Sequence, residues 1–190
     1  MEENNFVGPR DYKKLDIEGA VVVRSKRFGS GIDEWMYEPV DFTELTYFLG
    51  YHFDPRGMHM FKTGKGVIRG GHLEGRSKCL TVVSGCAFIV LVDMRSGKNQ
   101  GKVQTVYLGD DDRAWGNTLF SSEGILIASI SMTDDCISMV VADRPYNRFD
   151  SLLTLDITDP ELGIEFPEGV IFPESKDKKT VSYKEFIERI

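Results

Sequence analysis

The sequence predicts an all-β fold, an antiparallel sandwich or closed barrel with small helices at its margins. Three observations carry that reading. Short apolar runs rich in β-branched residues recur through the chain, from Ala20-Val21-Val22-Val23 to Cys136–Ala142. Turn-forming clusters interrupt them at Ser84-Gly85-Cys86, Gly109-Asp110-Asp111-Asp112 and Met132-Thr133-Asp134-Asp135. Little between these runs repeats at helical spacing. Many short strands with turn residues between them are the pattern of sandwiches and barrels.

Taken in order, Ala20 to Val23 reads as a first strand after Gly19. Asp41-Phe42-Thr43-Glu44-Leu45-Thr46-Tyr47-Phe48-Leu49 reads as a short helix, with Asp41 and Glu44 as cap and capping-box partner. Lys78 to Val83 and Ala87 to Val92 are two apolar strands. Lys102 to Leu108 partly alternates, and Gly124 to Ser131 and Cys136 to Ala142 complete the set. The stretch from Asp159 to Lys179 holds three prolines and two glycines and reads as an irregular wrap over one end. The tail from Ser182 is a helix capped by that serine, with Tyr183, Phe186, Ile187 and Ile190 on one face. No linker or repeat divides the 190 residues, so a single domain spanning 1–190 is expected.

Composition removes several function classes. A net charge of -7 argues against general nucleic-acid binding, which needs a basic face. It leaves room for a small anion, because a local cluster of cations can oppose the overall sign. Cys79, Cys86 and Cys136 lie in or beside apolar runs without metal-ligand spacing, so free buried thiols are expected. The run Cys86 to Val92 is too short to span a bilayer, and the acidic start Met1-Glu2-Glu3 does not read as a signal peptide. A cytoplasmic protein without membrane association is expected.

The chemistry concentrates in Val67-Ile68-Arg69-Gly70-Gly71-His72 and the Lys78 that follows. These put a cation, a tight glycine pair and one imidazole at the end of a strand. An imidazole titrates near neutral pH and suits proton abstraction from carbon beside a carbonyl. His52 and His59 read instead as surface or packing residues. His59 and His72 lack the spacing of a metal-binding cupin, so no metal site is expected.

Several motifs resemble, in order, those of the dTDP-4-dehydrorhamnose 3,5-epimerase family. They are Lys26-Arg27-Phe28-Gly29, Trp35-Met36-Tyr37-Glu38, Gly66 to His72, Val82-Val83-Ser84-Gly85, Val90-Leu91-Val92-Asp93-Met94-Arg95, Asp159-Pro160-Glu161-Leu162-Gly163-Ile164-Glu165-Phe166-Pro167 and Ser175-Lys176-Asp177. The resemblance implies a cupin jelly roll and a homodimer. It implies a nucleoside-diphosphate 4-keto-6-deoxy sugar as substrate, epimerised at C3, C5 or both without a metal or organic cofactor.

Carried residue by residue, the resemblance makes His72 the base, Asp177 its orienting partner and Lys78 the stabiliser of the enolate oxygen. Arg69, Glu38, Arg113 and Glu123 become substrate-contacting candidates. Four places depart from the family pattern. Val141 stands where the family has a proton-returning tyrosine, Glu123 where it has a loop histidine, Ile32-Asp33 where it has an early Arg-Gly, and Gly57-Met58-His59 where it has a Gln-x-Asn segment. A second resemblance, of the strand Asp134 to Ala142 with Tyr146 and Asp150, is to cupin 3,4-ketoisomerases of nucleotide sugars. A third reading is a sugar-nucleotide-binding cupin without catalysis.

Overall fold

In the computed structural model, residues 11–28, 36–146, 153–168, 170 and 180–190 are described. Their strands are β1 (Asp11–Lys14), β2 (Ala20–Arg24), β3 (Lys26–Phe28), β4 (Met36–Glu38), β5 (Gly57–Thr63), β6 (Ile68–His72) and β7 (Lys78–Ser84). They continue with β8 (Cys86–Asp93), β9 (Val103–Gly109), β10 (Thr118–Ser121), β11 (Ile125–Ser131), β12 (Cys136–Ala142), β13 (Thr154–Leu155) and β14 (Thr180–Val181). The two helices are α1 (Phe42–Leu49) and α2 (Tyr183–Arg189).

Two six-stranded sheets form a sandwich. The first has the order β1-β2-β10-β7-β12-β5 and the second β14-β13-β6-β11-β8-β9, while β3 and β4 make a separate ribbon. Neighbouring strands run antiparallel except β13 beside β14. The expected all-β, jelly-roll architecture with small peripheral helices is what the chain adopts.

Side-chain alternation sorts each strand between faces. Val22, Leu80, Val82 and Val140 from the first sheet meet Ile89, Leu91, Ile125 and Ile127 from the second, and this is the central core. The outer face of the first sheet, with Val21, Val23, Cys79 and Phe120, is covered by Leu45 of α1 and by Phe53. The outer face of the second, with Phe88, Val90 and Leu126, is covered by Leu162 and by Phe186 of α2. With both faces covered, β8 is buried along its whole length, which is why its sequence is apolar from Cys86 to Val92.

Both expected helices form with the expected N-caps. Asp41 accepts the backbone N–H groups of Thr43 and Glu44, and Ser182 accepts that of Glu185. Glu44 spends an oxygen on the Tyr12 hydroxyl at 3.2 Å.

Strand direction defines two ends of the sandwich. At one end β7 turns into β8 through Gly85, whose carbonyl accepts the N–H of Asp110 from the β9–β10 loop. At the other end Lys78 lies opposite Ser121 and Ala142, and His72 lies opposite Ile127. That second end is the mouth considered next.

Candidate active site

The glycine pair of β6 sets the first side of the mouth. In a regular strand, residues three apart point to opposite faces. Arg69 pairs with Ser129 and His72 with Ile127, yet Gly70 pairs with Ala128, so Gly71 is an extra residue. This β-bulge returns both Arg69 and His72 to the inner face of the second sheet. Gly70 has φ +94°, and a Cβ there would sit 2.3 Å from the Ile127 carbonyl oxygen. No other residue fits that close approach.

His72 is half-buried, and its Nδ1 lies 2.9 Å from Thr154 Oγ1 on β13. A ring nitrogen anchored this way fixes the imidazole plane, and an Nδ1–H donated to the hydroxyl leaves the lone pair on Nε2. The Arg69 guanidinium stacks over the Phe61 ring, 4.6 Å from its centre.

The facing sheet supplies the cations. Lys78 shares the parity of Leu80 and Val82, so it points inward, and only 9% of its surface is exposed. Its Nζ donates to Glu74 at 2.6 Å, and Glu74 also receives Arg76 through two 3.0 Å hydrogen bonds. Burial works to raise the Glu74 carboxyl, but the Lys78 charge and the Arg76 and Lys78 hydrogen bonds outweigh it and hold it at about 2. Burial pushes the Lys78 ammonium below its ordinary value, against the pull of Glu74. One carboxylate faces two cations, so the cluster keeps a net positive charge. Arg76 Nη1 is buried without a hydrogen-bond partner among the described residues.

His59 and Tyr146 close the group. His59 lies on β5 with the parity of Phe61, which packs on the central core, so the imidazole also points inward. Its ring sits 5.1 Å from that of Tyr146, and Arg76 lies over the Tyr146 ring at 5.4 Å. Burial first, then the Arg76 charge, lowers the His59 pKa, with Glu74 opposing.

The structure brings His72, Lys78 and Arg69 to one mouth, with Glu123 at its rim. Glu123 pairs with Arg144 at 3.2 Å, and its backbone N–H donates to Ser77. Asp177 lies outside the described residues. Two further candidates stand elsewhere in this chain. Arg113 belongs to the loop at the Gly85 end, where it pairs with Asp111 at 2.7 Å and covers Tyr107. Glu38 ends the β3–β4 ribbon, and the following Pro39 docks its carbonyl against Ser25 and Thr118 on the outer side of the first sheet. Neither is directed by this chain into the mouth.

A third position is the one matched to a family tyrosine. Val140 packs in the central core, so Val141 points outward beside its cross-strand partner Cys79. A side chain reaching the mouth from β12 has to stand at Val140 or Ala142, and both are apolar.

Glu74, Arg76 and His59 were not singled out as site residues by sequence reasoning, while Tyr146 entered through the ketoisomerase resemblance. The available signal was the position of Glu74-Gly75-Arg76-Ser77 between His72 and Lys78, where three charges in five residues need partners. The three cysteines are free and buried, and burial raises the Cys79 and Cys86 thiols, Cys86 to about 11, which removes them as nucleophiles. No group of three or more His, Cys, Asp or Glu among the described residues could hold a metal. No helix among them is long and apolar enough to cross a membrane.

A jelly-roll sandwich with an imidazole on one inner face and a cationic cluster on the other belongs to the cupin-like class. Within that class, the chain belongs to the dTDP-4-dehydrorhamnose 3,5-epimerase family, whose model matches residues 14–185. It is 32% identical over 125 residues to the dTDP-4-dehydrorhamnose 3,5-epimerase of Mycobacterium tuberculosis (strain ATCC 25618 / H37Rv), covering 63% of this chain and 60% of that protein. It is 33% identical over 142 residues to that of Mycolicibacterium smegmatis, covering 71% and 65%. The chain thus spans somewhat less than two thirds of these relatives' length.

Among solved structures, the Mycobacterium tuberculosis rmlC epimerase superposes with a TM-score of 0.82 at 26% identity, covering 94% of this chain and 91% of that one. NovW, a 4-keto-6-deoxy sugar epimerase from Streptomyces spheroides, superposes with a TM-score of 0.83 at 22% identity, covering 95% and 91%. This second likeness is one of fold.

Proposed function

We propose that the protein is an isomerase that epimerises a nucleoside-diphosphate 4-keto-6-deoxy sugar, of the dTDP-linked kind, at C3, C5 or both. The observation that carries the reading is His72 on one inner face with the Glu74–Arg76–Lys78 cluster on the other. A 4-ketone acidifies the C–H bonds beside it. His72 takes one such proton, and the electron pair moves into a C=C–O⁻ enolate. That oxygen is stabilised by the net positive cluster in a partly buried site, where fixed cations act most strongly. Asp177 is assigned the role of orienting His72.

Arg69 and Arg76 support the diphosphate part of the reading. The buried, unpartnered Arg76 Nη1 is a costly donor that a phosphate oxygen would satisfy. The same proposal includes a homodimer in the cytoplasm. Edge strand β5 supports the dimer, because it exposes Met58 and Met60 on its outer side. Light scattering checks it, with twice the 21.5 kDa chain mass expected.

The chemistry is tested by incubating the protein with dTDP-4-keto-6-deoxyglucose in heavy water. Deuterium is expected at C3, C5 or both, with exchange abolished in His72→Ala. No uptake from this or any other 4-keto sugar nucleotide, with binding intact, would leave a sugar-nucleotide-binding cupin. A shifted keto group in the product would mark a ketoisomerase.

A further inference from the structure

We propose that His59 is a second proton-transfer residue, serving the face of the sugar ring opposite His72. This assignment rests on the epimerase reading and supplies the half of the reaction that returns the proton.

Register makes the argument. Inversion needs a proton donor on the face away from the base. On β12 the two inward positions near Lys78 are Val140 and Ala142, neither of which carries a transferable proton. The residue directly across from Val140 on the neighbouring strand is His59. Directly opposed residues of an antiparallel pair have Cβ atoms about 5 Å apart and share a face. The imidazole therefore projects from the same patch of the first sheet, beside a side chain too small to cover it.

The two sheets place the imidazoles on opposite walls. His59 belongs to the first sheet and His72 to the second. Packed sheets lie about 10 Å apart, room for one sugar ring with a wall on each face. The pattern of β5 also sets His59 apart. Apolar Met58 and Met60 point outward, and the imidazole points in among Arg69, Glu74, Arg76 and Lys78. Tyr146 packs against the ring at a tilt of 53°, with 5.1 Å between ring centres, and limits its rotation.

The step balances without an oxidant or reductant. His72 forms an N–H bond as the substrate C–H bond breaks, and the electron pair enters the enolate. The enolate carbon then takes a proton on its other face as an N–H bond of the His59 imidazolium breaks. His72 leaves charged and His59 neutral, and exchange with water resets both. Burial first, then the Arg76, Lys78 and Arg69 charges, disfavour the His59 imidazolium in the free protein, and the diphosphate charge of the substrate offsets the charge contribution.

The test separates exchange from inversion. With dTDP-4-keto-6-deoxyglucose in heavy water, His59→Gln and His59→Asn are expected to keep deuterium uptake, because His72 still removes a proton and returns a deuteron to the same face. Inversion is expected to fall at least 100-fold. Retained exchange also shows that the variants' mouth is folded. Inversion at the wild-type rate in both variants would overturn the assignment. So would loss of inversion in Tyr146→Phe while the His59 variants keep it. Loss of exchange and inversion together, at an unchanged melting temperature, would overturn it as well. No exchange in the wild type would remove the epimerase reading itself, a result distinct from the others.

Discussion

The two ends of the sandwich carry similar charged residues in very different settings. At the Gly85 end, Arg113 and Asp111 pair at 2.7 Å in an exposed loop beside an open cavity of about 380 Å³ lined by Arg24, Asp110, Trp115 and Asn117. At the mouth, Glu74 holds Arg76 and Lys78 at 3.0 and 2.6 Å with all three side chains largely withdrawn from water. Contact distance does not separate these sites. Burial does. An exposed pair is screened by solvent and contributes little, whereas buried charges are costly to keep and are retained where they act on something.

The largest way to break this contrast is Glu74→Gln. It removes the carboxylate and leaves two cations facing each other in a partly dry site. A loss of about 3–5 kcal/mol in a urea titration is expected, together with loss of deuterium exchange. Asp111→Asn at the other end is expected to move neither the unfolding midpoint nor the exchange rate.

The same carboxylate makes the contrast pH-dependent. Glu74 is lowered from its ordinary 4.5 to about 2. A lowered acid contributes its full stabilisation above about 4.5 and loses it as pH falls toward 2. Urea midpoints measured between pH 6 and 2 should show this acid limb in the wild type and a reduced one in Glu74→Gln.

Gly70→Ala tests the bulge that turns Arg69 and His72 to the same side. A methyl group there meets the Ile127 carbonyl at 2.3 Å on a backbone with φ +94°. The expected cost is more than about 1 kcal/mol, with exchange falling further than stability alone explains. Thr154→Val is the mildest change. It removes the His72 Nδ1 partner and should slow exchange about tenfold, equivalent to about 1.4 kcal/mol, while the melting temperature moves little.

How far these features could be read from sequence depends on which face a residue serves. The core strands were legible because β8 is apolar from Cys86 to Val92 and β11 from Ile125 to Ala128. Strand β5 was not, because its pattern is reversed. Met58 and Met60 face out at 68% and 58% exposure, while His59 faces in, so an apolar-inside rule assigns it to the wrong surface. His72 and Lys78 were legible through the glycine pair and the order of motifs. Glu74 and Arg76 were not legible, since nothing in a run of charged residues states that the chain buries it. Val141 shows the limit of matching motifs without register. The position that faces the mouth is one residue earlier, at Val140, and only the pairing of β12 with β7 and β5 reveals it.

The central claim is that the mouth, and not the charged loop at the opposite end, activates a C–H bond beside a ketone. Proton NMR of dTDP-4-keto-6-deoxyglucose in heavy water tests it most directly, run with the wild type, His72→Ala and Arg113→Ala. The account predicts loss of the C3 or C5 proton signal with the wild type and Arg113→Ala, and none with His72→Ala. Undiminished exchange in His72→Ala, or exchange abolished by Arg113→Ala alone, would contradict it.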